Sequence, residues 1–414
     1  MRKNLFGPVL SYVLSFVIAG ALCLGIGAIY GTPAGVATFL GLNAACHLAV
    51  NNPAVCGSLF QQLVETLPTQ SGIVVGQKVR FVLPRDFPLE GFVIVVEPTV
   101  SGVAATIAPE GCFAFVQNVR LTANDGGQNR DLVNADSMSI VQRHLAYNSN
   151  LDTETLTAFG NAFSSATAKV IRIPHFFPPN SMEDPARSLF LQNFPRFNND
   201  PILEIQIGTQ AQIDTHATPT FTISACTIRV ILIKRYVTSD KWNFLKTDFI
   251  TQEQAYTLNA AAQRYNLPVP GWHFGIGMRM YSSATALGDI SQTAGVFKIQ
   301  ALNVVERVLQ STDVRALNQI SVPADVTAAG VAGVQRNLQN SSTWFDYLTD
   351  LNGASVTNLD TLLNSNPFAA LGTVPQVLGD INGAAGKKIV FMHDRCYGDL
   401  SPALALPRML GKAA

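Results

Sequence analysis

Two hydrophobic patterns divide this chain. From Leu5 to Tyr30 the sequence is almost unbroken apolar, and after Arg2 and Lys3 no Asp, Glu, Lys or Arg occurs until Glu65. From Ile73 onward the apolar residues fall into short runs rich in Val, Ile, Phe and Thr: 92–102, 112–123, 168–173, 202–208 and 221–237. Several runs alternate. In ILEIQIG, Leu203, Ile205 and Ile207 share one face, and Ile202, Glu204 and Gln206 the other, as a half-buried strand requires. Polar turn clusters separate the runs, namely NDGGQN (124–129), HFFPPN (175–180) and FNNDP (197–201). Two segments break the strand pattern. NADSMSIVQRHLAYN (134–148) places Ile140, Val141 and Leu145 on one helical face, with Asn134 or Asp136 as cap. The Ala-rich TQEQAYTLNAAAQRYN (251–266), with Thr251 as cap, predicts a second helix bridging two halves of the chain.

The second half repeats the order of the first. A Pro-x-x-Gly-aromatic stretch precedes an apolar strand at Pro88 and again at Pro268. Runs beginning at Phe113 and Phe297 follow, then Asp131 and Asp313, then apolar strands at 201–208 and 386–393. The offsets stay between 180 and 185 residues across these four landmarks. They point to two copies of one domain of ordinary size. The predicted fold is all-β: two tandem eight-stranded jelly rolls (a double jelly roll) behind an apolar, helical N-terminal segment. Expected boundaries are 1–64 for that segment, 65–245 for the first roll, and 246–414 for the second roll with its bridging helix.

Composition narrows the function. Charged residues are 14% and apolar ones 48% of 414 residues, which excludes a disordered chain and favours large buried surfaces. Lys plus Arg and Asp plus Glu are 28 each, so the basic excess of a nucleic-acid binder is missing and no direct nucleic-acid contact is expected. Six scattered cysteines (Cys23, Cys46, Cys56, Cys112, Cys226, Cys396) form no CxxC pair, the spacing that zinc and redox motifs need. They read as buried thiols of a protein made in a reducing cytoplasm.

The N-terminal run admits three readings: a secretory signal, a membrane anchor, or an arm buried under neighbours. In the anchor reading Arg2 and Lys3 stay at the headgroups, while Leu10, Phe16, Ile18, Leu22 and Ile26 face the membrane.

The stretch FVLPRDFPLEGFVIVVEPTVSG…FAFVQNVRLTANDGGQNRDL, with Asn118, Arg120 and Leu121 closing a strand, resembles the opening of the double jelly-roll major capsid proteins of tailless, membrane-containing icosahedral bacteriophages and their relatives. FNNDPILEIQIGTQAQI (197–213) resembles that family's late strand of the first barrel. The resemblance covers roughly 75–400 as a pattern of strands. It implies a homotrimer forming a pseudo-hexameric capsomer, tiled with neighbouring capsomers into an icosahedral shell. The expected partners are the viral lipid membrane, vertex (penton) proteins and minor capsid proteins. The expected location is the virion, assembled in host cytoplasm.

Candidate chemistry is sparse. MHDRCYGD (392–399) gathers His393, Asp394, Cys396 and Asp399, but neighbours on a strand alternate faces, so His393 and Cys396 point apart. His144 is expected on a helix, exposed or interfacial, and His175 in a Pro-rich loop at an interface. No Walker loop, nucleophile elbow or HExxH occurs. No catalytic residue, metal or cofactor is expected, and the chain is not an enzyme. Trp242, Trp272 and Trp344 are candidate interface anchors. The rival reading is a secreted or surface-anchored bacterial β-sandwich, adhesin-like in kind.

Overall fold

The computed structural model describes 61–101, 111–148, 151–152, 154–155, 167–177, 192–213, 222–236, 248–257, 263–266, 272–281, 287–288, 296–301, 304–310, 341–346, 376–379 and 388–397, all within one compact unit, Gln61–Leu404. The strands are β1 (Gln61–Thr66), β2 (Lys78–Val82), β3 (Leu89–Ser101), β4 (Val116–Asp125), β5 (Gln128–Ala135), β6 (Thr167–Ala168), β7 (Ile171–Phe176), β8 (Ile202–Ile207) and β9 (Thr222–Tyr236). They continue as β10 (Asp248–Thr257), β11 (Gln263–Asn266), β12 (Trp272–Tyr281), β13 (Val296–Ala301), β14 (Val304–Gln310), β15 (Ser342–Asp346), β16 (Gln376–Gly379) and β17 (Lys388–Tyr397). Three helices are described: α1 (Gly111–Ala114), α2 (Ser137–Asn148) and α3 (Gln210–Ile213).

Strand order gives the architecture. One sheet runs β1-β9-β3, with β6 and β7 successively along the far side of β3. An eight-stranded sheet runs β15-β12-β17-β10-β5-β4-β8-β2, and a four-stranded one β11-β16-β13-β14. The eight-stranded sheet divides at β5 and β10. Its half β5-β4-β8-β2 belongs with the β1 sheet, and its half β15-β12-β17-β10 with the β11 sheet. Each set, counted along the chain, has the strand order 1-8-3-6 in one sheet and 2-7-4-5 in the other, consistent with two jelly rolls in tandem. In the first roll, Phe92, Ile94 and Val96 of β3 and Val230 and Leu232 of β9 share one core with Phe81, Val119, Leu121, Leu203 and Ile205 from the opposite sheet. Each such side chain taken from water contributes about 1.5–3 kcal/mol.

Local sequence accounts for much of this. β8 buries Leu203, Ile205 and Ile207, the face that alternation selects. Gly126 and Gly127, both at positive φ, form the two-residue turn between β4 and β5. Helix α2 falls where the apolar spacing predicts, burying Ile140, Val141 and Leu145. Its cap is Asp136, whose Oδ1 accepts the Ser139 amide at 2.6 Å.

Three expectations need correction. The bridging helix over 251–266 is not formed: its described residues lie in β10 and β11. Helix propensity there yields to ten cross-strand pairs between β10 and β17. Phe113 lies in α1, just before β4 rather than within it. The match of 201–208 with 386–393 pairs unlike strands, because β8 lies between β4 and β2 whereas β17 lies between β12 and β10.

The duplication itself is carried by shared irregularities. The β3–β9 ladder slips between Leu89 and Gly91, and the β12–β17 ladder between His273 and Gly275. The β4–β5 ladder slips between Leu121 and Thr122, and β13–β14 between Ile299 and Gln300. Matching these bulges equates Gly91 with Gly275, Ile233 with Asp394 and Lys234 with Arg395. Carried across the ladders, the same matching equates Arg80 with Arg264 and Phe81 with Tyr265. The Pro88 and Pro268 landmarks do precede equivalent strands, but Gly91 corresponds to Gly275 rather than Gly271.

Candidate functional site

The richest polar cluster of the described residues lies where the two rolls meet. Strands β5 and β10 pair in parallel there, Val133 with Thr251 and Asn134 with Gln252. Helix α2 lies between the rolls, packed on β7 and β4 of the first and on β12 and β15 of the second. The cap and first two turns of α2 send polar side chains across. The Asp136 carboxylate accepts from Arg279 Nη2 at 2.7 Å, and Ser139 Oγ accepts from Arg279 Nη1 at 3.0 Å. Ser139 donates in turn to Glu253 Oε2 at 2.7 Å. One turn on, Gln142 Nε2 donates to the carbonyls of Met278 (3.3 Å) and Thr343 (3.1 Å). Arg143 Nε pairs with Asp394 Oδ2 at 2.9 Å, while its Nη atoms donate to the carbonyls of Phe176 (2.6 Å) and Phe177 (2.9 Å).

Burial makes these bonds demanding. Arg279 is fully buried, and Arg143 and Asp394 nearly so. An ion this deep loses hydration worth several kcal/mol, so each needs its partner in place. Desolvation pushes the Glu253 carboxyl up to about 7, the nearby Asp136 charge adding to it and Arg279 opposing. Arg279 stays charged: its neighbours Asp136, Tyr281 and Glu253 outweigh desolvation and raise its pKa. A cluster of this kind sets the register of two surfaces more than it adds stability.

A second clamp holds the start of β10. The buried Asp248 carboxylate accepts from Arg130 of β5 at 2.8 Å, from Gln192 at 3.1 Å, and from Arg196. Gln192 also accepts the Phe249 amide at 2.9 Å. The first residue of β10 is thus tied to three side chains of the first roll.

Trp344 is buried at this junction. Its ring lies over Gly275 and Gly277, where a Cβ would come within 2.5 and 2.7 Å of it. A pocket of about 150 Å³ is lined from both rolls by Phe113, Val116, Asp136, Met138, Tyr281 and Lys388 among others. Lys388 Nζ stands 4.2 Å from the Tyr281 ring centroid. The chemistry is that of a joint: charges are matched, and the Ser139 hydroxyl that donates to Glu253 is buried and held by Arg279. Among the described residues no group of three His, Cys, Asp or Glu is placed to hold a metal ion.

Of the sequence candidates, Trp344 sits in this joint, and Trp272 begins β12 opposite Cys396. Trp242, Arg2, Lys3, Leu10, Phe16, Ile18, Leu22 and Ile26 lie outside the described residues. Among the described residues no helix is long and apolar enough to cross a membrane. His175 is not in a loop. It lies in β7, buried between the rings of Phe92 (5.1 Å) and Phe177 (5.2 Å), and burial drives its pKa well below 6.5. Sequence reading missed Arg279, Glu253 and Arg143. The available signal for Arg279 was an ionised residue within an apolar strand, MRM at 278–280.

No protein-family model matches the chain, and no curated protein does. Solved structures do. The crystal structure of the STIV MCP aligns with 84% of this chain and 99% of its own, at 13% identity and a TM-score of 0.54. The atomic structure of Sulfolobus Turreted Icosahedral Virus aligns with 85% and 96%, at 14% identity and 0.53. The PBCV-1 virus capsid aligns with 81% and 94%, at 12% identity and 0.52. Over nearly the whole of those chains, this protein shares the fold of virus capsid structures.

Proposed function

We propose that this chain is the major capsid protein of a tailless, membrane-containing icosahedral virus, bacteriophages among the candidates. The observation that carries the reading is the pair of tandem rolls fused through β5 and β10, matched almost end to end by virus capsid structures. Three copies form a trimer whose six rolls make a pseudo-hexameric capsomer, and capsomers tile the shell. The work is burial rather than catalysis. Obligate assemblies bury thousands of Å² per interface, and a chain with 48% apolar and 14% charged residues suits that demand.

In this reading the rolls occupy 65–245 and 246–414, except that β1 of the first already begins at Gln61, inside the expected 1–64 segment, and the apolar residues ahead of β1 tie the shell to lipid through Arg2 and Lys3 at the headgroups and the apolar side chains behind them. Trp242 and Trp272 anchor contacts between copies, and Trp344 anchors the joint within one. Vertex and minor capsid proteins complete the shell, without direct nucleic-acid contact, in a virion assembled in host cytoplasm.

The test is the mass and shape of the purified full-length chain. Light scattering is expected to give three chains per particle, and negative-stain images a three-lobed particle of hexagonal outline. A chain that stays monomeric at every concentration, with its first residues removed in the cell, fits the secreted adhesin-like protein and overturns the capsid reading.

A further inference from the structure

The chain shows once how one roll docks on another, and among the described residues the two equivalent edges carry no second strand. In the first roll the joining strand is β5, at the edge of its sheet beyond β4; in the second it is β10, beyond β17. The equivalent edges on the other side of each roll are β14, beyond β13, and β1, beyond β9. Among the described residues β14 pairs with β13 alone and β1 with β9 alone. An unpaired strand edge is a template for another chain and is normally covered.

We infer that β14 of one copy lies parallel to β1 of the next, in the register that β5 and β10 adopt within the chain. The residues follow from the shared bulges. Leu121 pairs with Val133 just before the slip, as Ile299 does with Arg307, so Val133 corresponds to Arg307 and Asn134 to Val308. Thr251 pairs with Asp394, and Val64 with Ile233, the equivalent of Asp394, so Thr251 corresponds to Val64 and Gln252 to Glu65. The contact Val133–Thr251 therefore becomes Arg307–Val64 between copies, and Asn134–Gln252 becomes Val308–Glu65.

A separate observation supports the edge. Thr251, covered by the neighbouring roll, is 2% exposed, whereas Val64 is 65% exposed, the highest of the large exposed apolar residues among those described. The same strand position is buried where a neighbour is present in the chain and bare where the neighbour would be another copy. A head-to-tail contact of this kind repeats and closes into a ring; with two rolls per chain, three copies give six.

This inference rests on the trimer reading, and the experiment separates the two. The double variant Val64→Cys/Arg307→Cys is oxidised in the full-length chain. Parallel neighbours lie within disulfide reach, so the monomer band on a non-reducing gel is expected to be lost to a three-chain species that reductant reverses. The control Val82→Cys/Arg307→Cys, with Val82 on β2 of the other sheet of the roll, is expected to keep its monomer band. A particle with the mass of three chains that yields no Val64–Arg307 cross-link overturns this register and leaves the capsid reading standing. A chain that stays monomeric overturns both, and a ladder of species beyond three chains overturns ring closure. Where the cysteine pair impairs folding, charge reversal serves. Val64→Lys opposite Arg307 is expected to weaken trimerisation, and adding Arg307→Glu to restore it. Val64→Thr, the residue of the equivalent position, is expected to leave trimerisation unchanged. Equal trimerisation of all three variants overturns the contact.

Discussion

The two rolls use one backbone plan to meet opposite demands. At equivalent positions on their first and last strands, the first roll carries Val64 and Ile233 where the second carries Thr251 and Asp394. The second roll's outer face has its neighbour within the chain, on α2, and it is written in ions and amides: Arg279, Glu253, Asp394. The equivalent of Arg279 in the first roll is Val95. A polar joint fixes one orientation between two surfaces that never separate. The difference teaches that duplication preserved the ladder and its bulges, while the outward side chains followed the neighbour each roll has.

The largest break in this comparison is expected at Arg279. Arg279→Ala leaves the partly buried Asp136 and Glu253 without their cation, and unfolding in denaturant is expected to show a loss of about 3–5 kcal/mol. Val95→Ala, at the equivalent position, removes only packing and is expected to cost about 2 kcal/mol. Equal losses would mean that the ionic joint is incidental.

Next come the two bulge glycines. A Cβ on Gly91 would lie 2.5 Å from the His175 carbonyl oxygen, and one on Gly275 the same distance from the Trp344 ring. Each alanine substitution is expected to destabilise by about 1–3 kcal/mol. Gly91→Ala should be the worse, because a strand carbonyl yields less than a side chain. Thermal melts of both variants decide the order.

The pH response sharpens the contrast further. Burial, helped by the Arg395 charge, pushes His393 down to about 3. Unfolded, it titrates near 6.5, so between those values the unfolded state binds more protons and stability falls as pH drops, by at most about 1.4 kcal/mol per pH unit for one group. His175 acts in the same direction. Glu253, raised to about 7, acts oppositely: its contribution is full below the ordinary carboxyl value of 4.5 and is lost as pH rises to 7. The first-roll equivalent of His393 is Leu232, which also lies in a core. His393→Leu is expected to reduce the acid sensitivity between pH 6.5 and 3, and Glu253→Gln to steepen it between 4.5 and 7, in denaturation curves taken across that range.

The smallest effect belongs to the open face of the first roll. Lys78 and Arg80 both pair with Glu204, at 3.1 and 2.9 Å, but their side chains are largely exposed. Lys78→Ala is expected to change stability by less than about 1 kcal/mol, and the remaining difference should vanish in salt.

Much of this was legible in the chain. The alternation of 202–207, the Asp136 cap and the glycine turn at 126–127 are local features, set by side-chain period, capping and backbone sterics, and the structure has them where the sequence places them. The doubling was legible too, through Pro88 and Pro268. Its alignment was not, since KVRFV at 78–82 and QRYN at 263–266 share little beyond one arginine and one aromatic, and their equivalence emerges only through their partners β8 and β16. The segment 251–266 was misread because Gln, Glu and Ala favour a helix when nothing lies beside them.

Sequence alone determined where the strongly alternating strands, the α2 cap and the glycine turn fall, that the chain repeats itself, and that its charges balance, because these depend on neighbours within a few residues or on composition. Tertiary structure decided which strands pair, that β5 and β10 fuse the rolls into one sheet, and that Arg279, Asp136 and Glu253 meet in a dry joint. Most of those contacts join residues more than a hundred positions apart, and whether an ionised side chain among apolar neighbours faces water or a buried partner is set only when the second surface arrives.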